Sequence, residues 1–318
     1  MRVLVSGCAG FIGTHFVRYL LDTHADWHII GVDALTYAAN LTELTKTREN
    51  ARFAFYHADI ADREAMREIF ERERPEMVVN LAAESHVDRS IEASELFIRT
   101  NVLGTGVLLD LSLAYGVLRF HQVSTDEVYG DLPPESTECF TEDSPLRPSS
   151  PYSASKAAAD LLVLSYHRTH GLAVTISRSS NNYGAYQHHE KLIPLTVACA
   201  LRGESIPVYG TGENRRDWLH VLDHCRAIDL ILTRGRAGEI YNIATGKEIP
   251  NLALVRHILS LLGKSESLIR FVPDRPGHDC RYPIDTTKIL HELGFEARIP
   301  FDEGFAGTVK FYQNTIVL

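Results

Sequence analysis

Short apolar runs rich in β-branched residues alternate with segments of helical spacing through the first half of the chain. Five runs predict buried strands, at residues 2–6, 29–33, 53–57, 77–81 and 119–124. Apolar residues at helical spacing predict helices at 11–21, 62–73 and 94–115. Strand–helix alternation of this kind is typical of α/β proteins, so we expect a doubly wound parallel sheet of the Rossmann type.

The second half of the chain has a less regular pattern. Residues 132–151 are rich in Pro, Ser and Glu and predict a surface loop, which a long helix at 153–170 follows. We place a domain boundary near residue 178, so that 1–178 forms the sheet domain and 179–318 a smaller C-terminal domain. Residues 239–243 have a strand pattern, and we expect the chain to return to the sheet near 217–244. Further helices are predicted near 192–202, 222–234, 252–262 and 301–311.

Composition excludes several classes of protein. Of the 318 residues, 45% are hydrophobic and 23% charged, which is typical of a globular chain. The net charge of −9 argues against nucleic acid as the main partner. The cysteines are scattered, without metal-binding spacing, and indicate reduced thiols: Cys8, Cys139, Cys199, Cys225 and Cys280. We read no signal peptide and no apolar window long enough to span a membrane, and therefore expect a cytoplasmic protein with no bound metal.

A glycine-rich turn follows the first predicted strand. Gly7, Gly10 and Gly13 let backbone N–H groups approach a pyrophosphate at a helix N-terminus. Asp33 ends the second strand, where an acid can bind both ribose hydroxyls and repels a 2′-phosphate, so NAD is favoured over NADP. The alternatives are an ordinary tight turn for the glycines and a helix cap for Asp33. The ends of the third and fourth strands, at 59–60 and 81–83, are expected to border the same crevice.

Two further patterns indicate chemistry. Tyr152 and Lys156 lie one turn apart on a helix, where an ammonium can lower the pKa of a phenol and make it a base. Ser124 or Thr125 would orient a substrate alcohol. The adjacent Asp126 and Glu127 could serve as acid and base in an elimination of water. Alone, either pattern is more often an exposed pair or a solvated turn.

With these motifs in place, the sequence resembles the extended short-chain dehydrogenases/reductases, and more narrowly the dTDP-glucose 4,6-dehydratase family. The resemblance covers residues 1 to about 312. Its most specific blocks are LAAESHVDRSI (81–91), STDEVYGDLP (124–133), PYSASKA (151–157), SNNYGAYQHHEKLIP (180–194), PVYGTGENRRDW (207–218), GEIYNIATG (238–246) and DRPGHDCRY (274–282). Related epimerases lack the adjacent Asp-Glu pair, so the pair indicates a dehydratase.

The resemblance implies a three-step reaction on a nucleoside-diphosphate hexose, most simply dTDP-glucose. Tyr152, helped by Thr125, takes the C4 hydroxyl proton while hydride passes to a tightly bound NAD, and Lys156 contacts the nicotinamide ribose. Glu127 then removes the C5 proton and Asp126 protonates the C6 hydroxyl, which leaves as water. Hydride returns to C6, so the product is a 4-keto-6-deoxy sugar. The family also implies a homodimer formed through the helices at 94–115 and 153–170.

The family blocks also assign binding residues. Cofactor binding is expected at Gly7, Gly10, Phe11, Ile12, Gly13, Asp33, Ala34, Leu35, Thr36, Asp59, Ile60, Leu81, Ala82, Ala83, Ser85, Thr100, Tyr152, Lys156 and Asn182. Substrate binding is expected at Ser85, Thr125, Asn181, Lys191, Leu192, Pro207, Tyr209, Arg216, Asn242, Asp274, Arg275, His278 and Tyr282. His86 and Asp88 are interpreted as structural.

The chain departs from the family pattern at three positions. Ala185 and His189 stand where prolines are usual, which frees the backbone of a substrate loop and leaves the choice of substrate open. Cys8 replaces a common glycine. The same reaction on UDP-glucose or UDP-N-acetylglucosamine remains an alternative, as does a 4-epimerase or a decarboxylating enzyme. A non-catalytic NAD-binding regulator is the rival from another class.

Overall fold

The computed structural model of the chain describes residues 1–316, so the last two residues of the 179–318 segment lie outside it. Its strands are β1 (Arg2–Ser6), β2 (His28–Asp33), β3 (Phe53–His57), β4 (Met77–Asn80), β5 (Arg119–Thr125), β6 (Val174–Ser179), β7 (Asn181–Tyr183), β8 (Ile206–Tyr209), β9 (Arg215–His220), β10 (Glu239–Ile243), β11 (Glu248–Pro250) and β12 (Ile269–Val272). Its helices are α1 (Phe11–Thr23), α2 (Leu41–Thr47), α3 (Arg63–Glu73), α4 (Val87–Glu92), α5 (Ser94–Phe97), α6 (Thr105–Ala114), α7 (Pro151–His170), α8 (Leu192–Arg202), α9 (Val221–Arg234), α10 (Asn251–Leu262), α11 (Thr287–Leu293) and α12 (Phe301–Thr315).

A seven-stranded sheet forms the centre of the fold, in the order β10-β6-β5-β4-β1-β2-β3, with every pairing parallel. Parallel strands need crossover connections, and here helices provide them on both faces. Side chains of α1 and α9 fill the core on one face, and those of α3, α6 and α7 fill the core on the other. The predicted doubly wound α/β fold is therefore confirmed.

The five predicted strands of the first half are present within one residue at each end. No strand was predicted at β6, although this strand lies between β5 and β10 in the sheet. Its VTISRS sequence alternates apolar and polar residues, yet all six side chains are buried. The polar ones are paired inside the fold, as where His121 contacts the Thr175 and Ser177 hydroxyls at 2.9 and 3.0 Å.

Two small sheets lie beside the large one and carry much of the second half of the chain. The first has the order β11-β9-β7 and the second pairs β12 with β8. After β9 the chain returns through α9 to β10, which pairs with β6 at the edge of the central sheet. The loop that follows β5 bonds to distant segments, since Leu132 bridges Arg281 and Phe140 bridges Ile284.

One helical segment, Ser94–Ala114, is long and apolar enough to cross a membrane by length and composition, which the sequence analysis did not expect. It consists of α5, a π-helical turn at Ile98–Gly104, and α6. Half of its most apolar stretch is buried within the fold, where Leu108 and Leu109 are fully enclosed. An apolar helix of this kind is equally typical of a protein core.

Candidate active site

The glycine-rich turn between β1 and α1 is a backbone cradle with no room for side chains at Gly7 and Gly13. Gly7 has a φ of +68°, and a Cβ there would lie 2.7 Å from the Ala82 nitrogen. A Cβ on Gly13 would lie 1.9 Å from the Gly7 carbonyl oxygen. Gly10 caps α1 without a side-chain hydrogen bond, so the first N–H groups of this thirteen-residue helix are open to an anion. The cradle fits a dinucleotide pyrophosphate.

Asp33 stands at the carboxyl end of β2, next to this turn. Its carboxylate accepts hydrogen bonds from the Ala9 and Leu35 N–H groups, at 2.9 and 2.8 Å. Burial raises the pKa of Asp33, and the two N–H donors oppose that rise. The carboxylate borders a cavity of about 160 Å³, which is lined by further predicted cofactor residues: Gly7, Gly10, Ala34, Thr36, Asp59, Ile60, Leu81, Ala82, Ala83 and Thr100.

Leu35 is an exception among the predicted cofactor residues. It lines neither this cavity nor the one that continues from it toward Tyr152. Its φ is +51°, and its side chain packs against the apolar core beneath α1. The family resemblance placed it in the site together with its neighbours Asp33, Ala34 and Thr36, which do line the cavity. The positive φ rotates this one residue away from its neighbours.

A second cavity of about 270 Å³ continues from the glycine turn toward the predicted catalytic residues. Its lining includes Phe11, Ile12, Gly13, Ser85, Ser124, Thr125, Asp126, Glu127, Tyr152, Lys156, Asn181, Asn182 and Lys191. Because Gly7, Leu81 and Ala83 border both cavities, the two form one cleft along the carboxyl ends of the strands. Sequence reasoning missed Tyr37, His188 and Glu190, which also line this part.

Tyr152 and Lys156 lie in the first turns of α7, which begins two residues earlier than predicted. Ser150 and Ser153 form a reciprocal capping box, and Pro151 occupies the first helical position. Both functional side chains are buried, at 9% and 4% exposure. The Lys156 ammonium donates a 2.6 Å hydrogen bond to the Val123 carbonyl, and burial lowers the pKa of Lys156 to about 8.

The pKa of Tyr152 differs from the expectation. Burial raises it, with Glu127 adding to the rise, while a hydrogen bond with Thr125 opposes it. The sequence predicted that Lys156 lowers the pKa of Tyr152. Lys156 is not among the groups that shift this pKa, and its ammonium donates to the Val123 carbonyl. Ser124 and Thr125 both lie on the cavity. The Ser124 hydroxyl is buried without a protein partner among the described residues, whereas Thr125 bonds Asp126 at 3.2 Å.

Asp126 and Glu127 occupy a 3₁₀ turn that directly follows β5. The Thr125 hydroxyl accepts the Glu127 N–H at 3.2 Å and so starts the turn. Burial raises the pKa of Asp126 well above its usual range and the Glu127 charge raises it further, while Arg216 opposes the rise. Burial also raises the pKa of Glu127, but there Arg216 and Arg275 are the next influences and lower it. The environments thus favour a protonated Asp126 beside an ionised Glu127.

A third cavity, of about 450 Å³, opens from Glu127 between the small sheets and α4. Its predicted lining residues are Ser85, Asn181, Lys191, Leu192, Pro207, Tyr209, Arg216, Arg275, His278 and Tyr282. Lys191, Arg216 and Arg275 give this acidic protein a local concentration of positive charge. Such a concentration suits a diphosphate.

The basic side chains of this cavity are held by contacts with the protein. Lys191 donates to the Ser85 carbonyl at 3.1 Å, and Arg275 lies 3.5 Å from the Asp88 carboxylate. Arg216 donates to the Asp279 and Cys280 carbonyls, at 2.8 and 3.1 Å, and its guanidinium lies 4.4 Å from the centre of the Tyr282 ring. These contacts orient the cations before any ligand arrives.

Two predicted substrate residues lie outside the cavity linings. Asn242 is fully buried on β10, where its amide bonds Tyr129 and the Phe140 carbonyl at 2.7 and 3.2 Å. Asp274 Oδ1 lies 2.6 Å from the Nδ1 atom of His278, so Asp274 contacts a residue that lines the cavity. Both predictions came from neighbours within family blocks, and neither had a physical signal of its own.

The cavity also contains residues that the sequence analysis missed or interpreted otherwise. His86 and Asp88, which were interpreted as structural, also line it; the His86 ring caps α4 by accepting the Arg89 N–H, and Asp88 pairs with Arg275. Trp218 and Asn251 line it as well, and the Trp218 Nε1 and Asn251 Oδ1 atoms are buried without protein partners among the described residues. No sequence signal marked Asn251, because it belongs to the cavity through the packing of α10 against β8.

The unusual residues of the substrate loop make specific contacts. The Ala185 carbonyl meets the His15 ring nitrogen at 2.9 Å, and the next residue, Tyr186, has a φ of +67°. The His189 ring lies 4.1 Å from that of His188, which lines the cleft. Cys8 is buried with its sulfur against Gly31, where a Cβ would lie 2.8 Å from Sγ. Its small side chain is therefore accommodated in the glycine turn.

A doubly wound sheet, a glycine-rich turn, Asp33 and a buried Tyr-x-x-x-Lys pair together define an extended short-chain dehydrogenase/reductase. Similarity to known proteins narrows this class. Residues 4–308 match the family model described as GDP-mannose 4,6 dehydratase. A curated dTDP-glucose 4,6-dehydratase of Haemophilus influenzae is 48% identical, with 98% of each chain covered.

Solved structures agree with this result. DesIV from Streptomyces venezuelae, a dTDP-glucose 4,6-dehydratase crystallised with NAD bound, is 49% identical with a TM-score of 0.95, and 99% of this chain and 98% of that chain are covered. UDP-glucose 4-epimerase of Thermotoga maritima is 32% identical with a TM-score of 0.91, and 99% of each chain is covered. The chain belongs to the GDP-mannose 4,6-dehydratase family, whose members similar to it include dTDP-glucose 4,6-dehydratases.

Proposed function

We propose that the protein is an NAD-dependent hydro-lyase that converts dTDP-glucose to dTDP-4-keto-6-deoxyglucose. The observation that carries this proposal is the Asp126–Glu127 pair, which lies beside Tyr152 in one cleft with its two carboxyls in different environments. The epimerase of Thermotoga maritima has the same fold, so the fold alone does not choose the reaction. Full-length similarity to dTDP-glucose 4,6-dehydratases supports the same choice.

Oxidation at C4 is the task of Tyr152. In its ionised form Tyr152 takes the C4 hydroxyl proton on its phenolate oxygen, and Thr125, hydrogen-bonded to Tyr152, orients the substrate alcohol. Lys156, anchored on the Val123 carbonyl, places a positive charge in the same buried region. NAD, when bound in the cradle of Gly7, Gly10 and Gly13 with its ribose on Asp33, supplies the nicotinamide that accepts hydride from C4 and returns it to C6.

Elimination is the task of the two carboxyls. The C4 ketone acidifies the proton on C5, and the ionised Glu127 removes it. Asp126, protonated because of its burial, donates a proton to the C6 hydroxyl, and the C6–O bond breaks as water leaves. A proton then returns to C5. Arg216 favours the charge of both carboxyls, and Arg275 further favours that of Glu127, so Glu127 acts as the base and Asp126 as the acid.

We infer a division of the chain in which residues 1–178 hold NAD and residues 179–318 hold the nucleotide sugar, with 217–244 returning to the central sheet. The contacts of Lys191, Arg216 and Arg275 support a diphosphate between the two parts. Thymidine differs from uridine by one methyl group, which a pocket discriminates by about 1–3 kcal/mol. UDP-glucose and UDP-N-acetylglucosamine are therefore the substrates to compare with dTDP-glucose.

The proposal is tested by mass spectrometry of the purified protein in D₂O with each of the three nucleotide sugars, without and with added NAD. We expect dTDP-glucose to lose one water and to gain one deuterium at C5 without added NAD. If only a UDP-sugar is dehydrated, the proposed reaction is retained and the proposed substrate is changed. An unchanged mass in every sample would overturn the dehydratase. A 4-epimer product of unchanged mass, detected by chromatography, would then favour an epimerase.

We propose a homodimer formed through the outer faces of the helical segment Ser94–Ala114 and of α7. Large apolar side chains are exposed there, at Leu96, Ile98, Leu103, Leu113 and Leu161, with Leu161 60% exposed. Contiguous exposed apolar surface favours association, and a twofold axis would pair these helices with their copies. Light scattering should give twice the mass of one chain, and Leu161→Glu should yield monomers. A wild-type monomer would contradict the proposal.

The expected cytoplasmic location remains a prediction.

A further inference from the structure

A buried ion pair lies behind the catalytic helix. The Arg178 Nε donates to the Asp160 Oδ2 at 2.9 Å, and the two side chains are 2% and 0% exposed. Asp160 is on α7, four residues after Lys156 and eight after Tyr152, so all three share one face of the helix. Apolar replacement of such a pair is often neutral or stabilising, so stability alone is a weak reason for its presence.

Arg178 connects this pair to the turn that carries the two acids. On β6, Arg178 is in register with Ser124 on β5 and with Asn242 on β10. Its guanidinium carbon lies 4.8 Å from the centre of the Tyr129 ring. Tyr129 ends the 3₁₀ turn that starts at Asp126, and its hydroxyl donates to the Asn242 Oδ1 at 2.7 Å.

The pair is placed to act through other residues. Neither Asp160 nor Arg178 lines the cavities of the cleft, and Asp160 Oδ1 and Arg178 Nη1 have no hydrogen-bond partner among the described residues. Lys156 faces the Val123 carbonyl on β5, and Asp160 is the charge that opposes the burial-driven fall in its pKa. Tyr152, on the same face, is next to the Glu127 and Asp126 charges of the turn.

We propose that the Asp160–Arg178 pair is a positioning device, which ties the helix of Tyr152 and Lys156 to the turn of Asp126 and Glu127 and gives the Lys156 ammonium a buried counter-charge. This inference rests on the proposed function. It concerns how Tyr152 and Lys156, which serve C4 oxidation, are held in a fixed position relative to Asp126 and Glu127, which serve elimination. Through Tyr129 and Asp160, one guanidinium contacts both groups of catalytic elements.

The test uses the double variant Asp160→Asn/Arg178→Gln, which removes both charges and keeps side chains of similar size. A single change would leave one buried charge unpaired and endanger folding. The matched control is Arg256→Gln/Glu266→Gln, which removes an exposed pair of 3.0 Å between α10 and the segment that follows it. Stability is followed by thermal unfolding, and NAD content by extraction of the holoenzyme.

Two measurements distinguish positioning from a structural role. The first is the pH profile of kcat and KM with dTDP-glucose. Without Asp160, burial lowers the pKa of Lys156 further, so activity that needs the ammonium is lost at a lower pH. We expect the alkaline limb to move down by about one pH unit. We expect kcat to fall by about tenfold or more with KM nearly unchanged.

The second measurement is the NMR titration of ¹³C-labelled lysine, with the Lys156 signal assigned through Lys156→Arg. It needs no turnover, so it tests the pair even if the wild-type enzyme fails to dehydrate dTDP-glucose. We expect the Lys156 midpoint to fall in the double variant and to stay in place in the control. An unchanged midpoint would overturn the proposal, as would a loss of kcat by one factor at every pH together with a lower Tm.

Discussion

The two sides of the cleft are built in different ways. On the cofactor side, the cradle comes from consecutive strand ends of a single parallel sheet, with Gly7 after β1, Asp33 at the end of β2 and Asp59 after β3. On the substrate side, Lys191, Arg216 and Arg275 come from segments far apart in the chain and meet only through the small sheets and loops. At Gly7 and Gly13 the first side has no space for a Cβ, whereas the second is a cavity of about 450 Å³ whose cations are oriented by contacts with the protein.

The difference shows what each side tolerates. A backbone cradle is destroyed by one added methyl group, while a cavity lined by long side chains loses a contact at a time. The chain's own departures from the family pattern agree with this, since Ala185 and His189 fall in the substrate loop. Cys8, the departure in the glycine turn, is accommodated because its sulfur packs against Gly31, which has no side chain.

The largest effect is expected for Gly13→Ala. The new Cβ would lie 1.9 Å from the Gly7 carbonyl, so the turn must shift and the pyrophosphate cradle is lost. We expect purified protein without NAD and without measurable dehydration. NAD is measured by extraction, and folding by circular dichroism. Gly307→Ala is the matched control, because nothing lies within 4 Å of a Cβ there in helix α12. Retention of NAD by Gly13→Ala would show that the cradle has space after all.

A smaller and more selective loss is expected for Glu127→Gln. Removing the base should lower dehydration by about 10²–10⁴-fold while oxidation at C4 continues, because Tyr152 remains. The reduced nicotinamide should then accumulate, which its absorbance reports, and deuterium should no longer enter at C5. Tyr152→Phe provides the contrast, since it should abolish both signals.

The pH profile of the wild type should show the same pair of carboxyls. Burial raises the pKa of Glu127, so activity is lost on the acid side as Glu127 takes up a proton, at a pH above the ordinary range of a Glu. Burial raises the pKa of Asp126 further, so the acid remains protonated toward neutral pH, and activity is lost on the alkaline side as Asp126 ionises and as the Lys156 ammonium, whose pKa is about 8, loses its proton. In Glu127→Gln the acid limb should disappear from the residual activity.

The smallest effect is expected on the substrate side, for Arg275→Gln. This change removes one cation of the cavity and leaves Lys191 and Arg216 in place, so KM for dTDP-glucose should rise by roughly tenfold, and the acid limb of kcat should move to higher pH because Arg275 no longer favours the charge of Glu127. Steady-state kinetics measure this, with Arg270→Gln as an exposed control of equal charge on β12. Equal rises in KM for both variants would indicate only a loss of overall positive charge.

The sequence predicted the class of fold and the family, and these predictions are confirmed by the sheet topology and by the similarity to known dehydratases. The predicted cofactor, NAD, is the one with which the similar DesIV was crystallised. The predicted site residues that gather in the cleft are those next to strand ends or in local motifs. Leu35, Asn242 and Asp274 lie outside the cavity linings, because being next to a site residue in sequence does not fix the direction of a side chain. Their roles as ligands of NAD or sugar, like those of the remaining predicted residues, stay predictions.

What the sequence determined by itself was local: a strand followed by a glycine turn, an acid at a strand end, and a Tyr and Lys one helical turn apart. Each of these depends on residues close together in the chain, whose geometry the backbone fixes. The tertiary structure alone decided which distant residues share the cleft, among them Trp218, Asn251 and Glu190. It also decided that the pKa of Asp126 is raised more than that of Glu127. These pKa values depend on burial and on surrounding charges, which come from the whole fold.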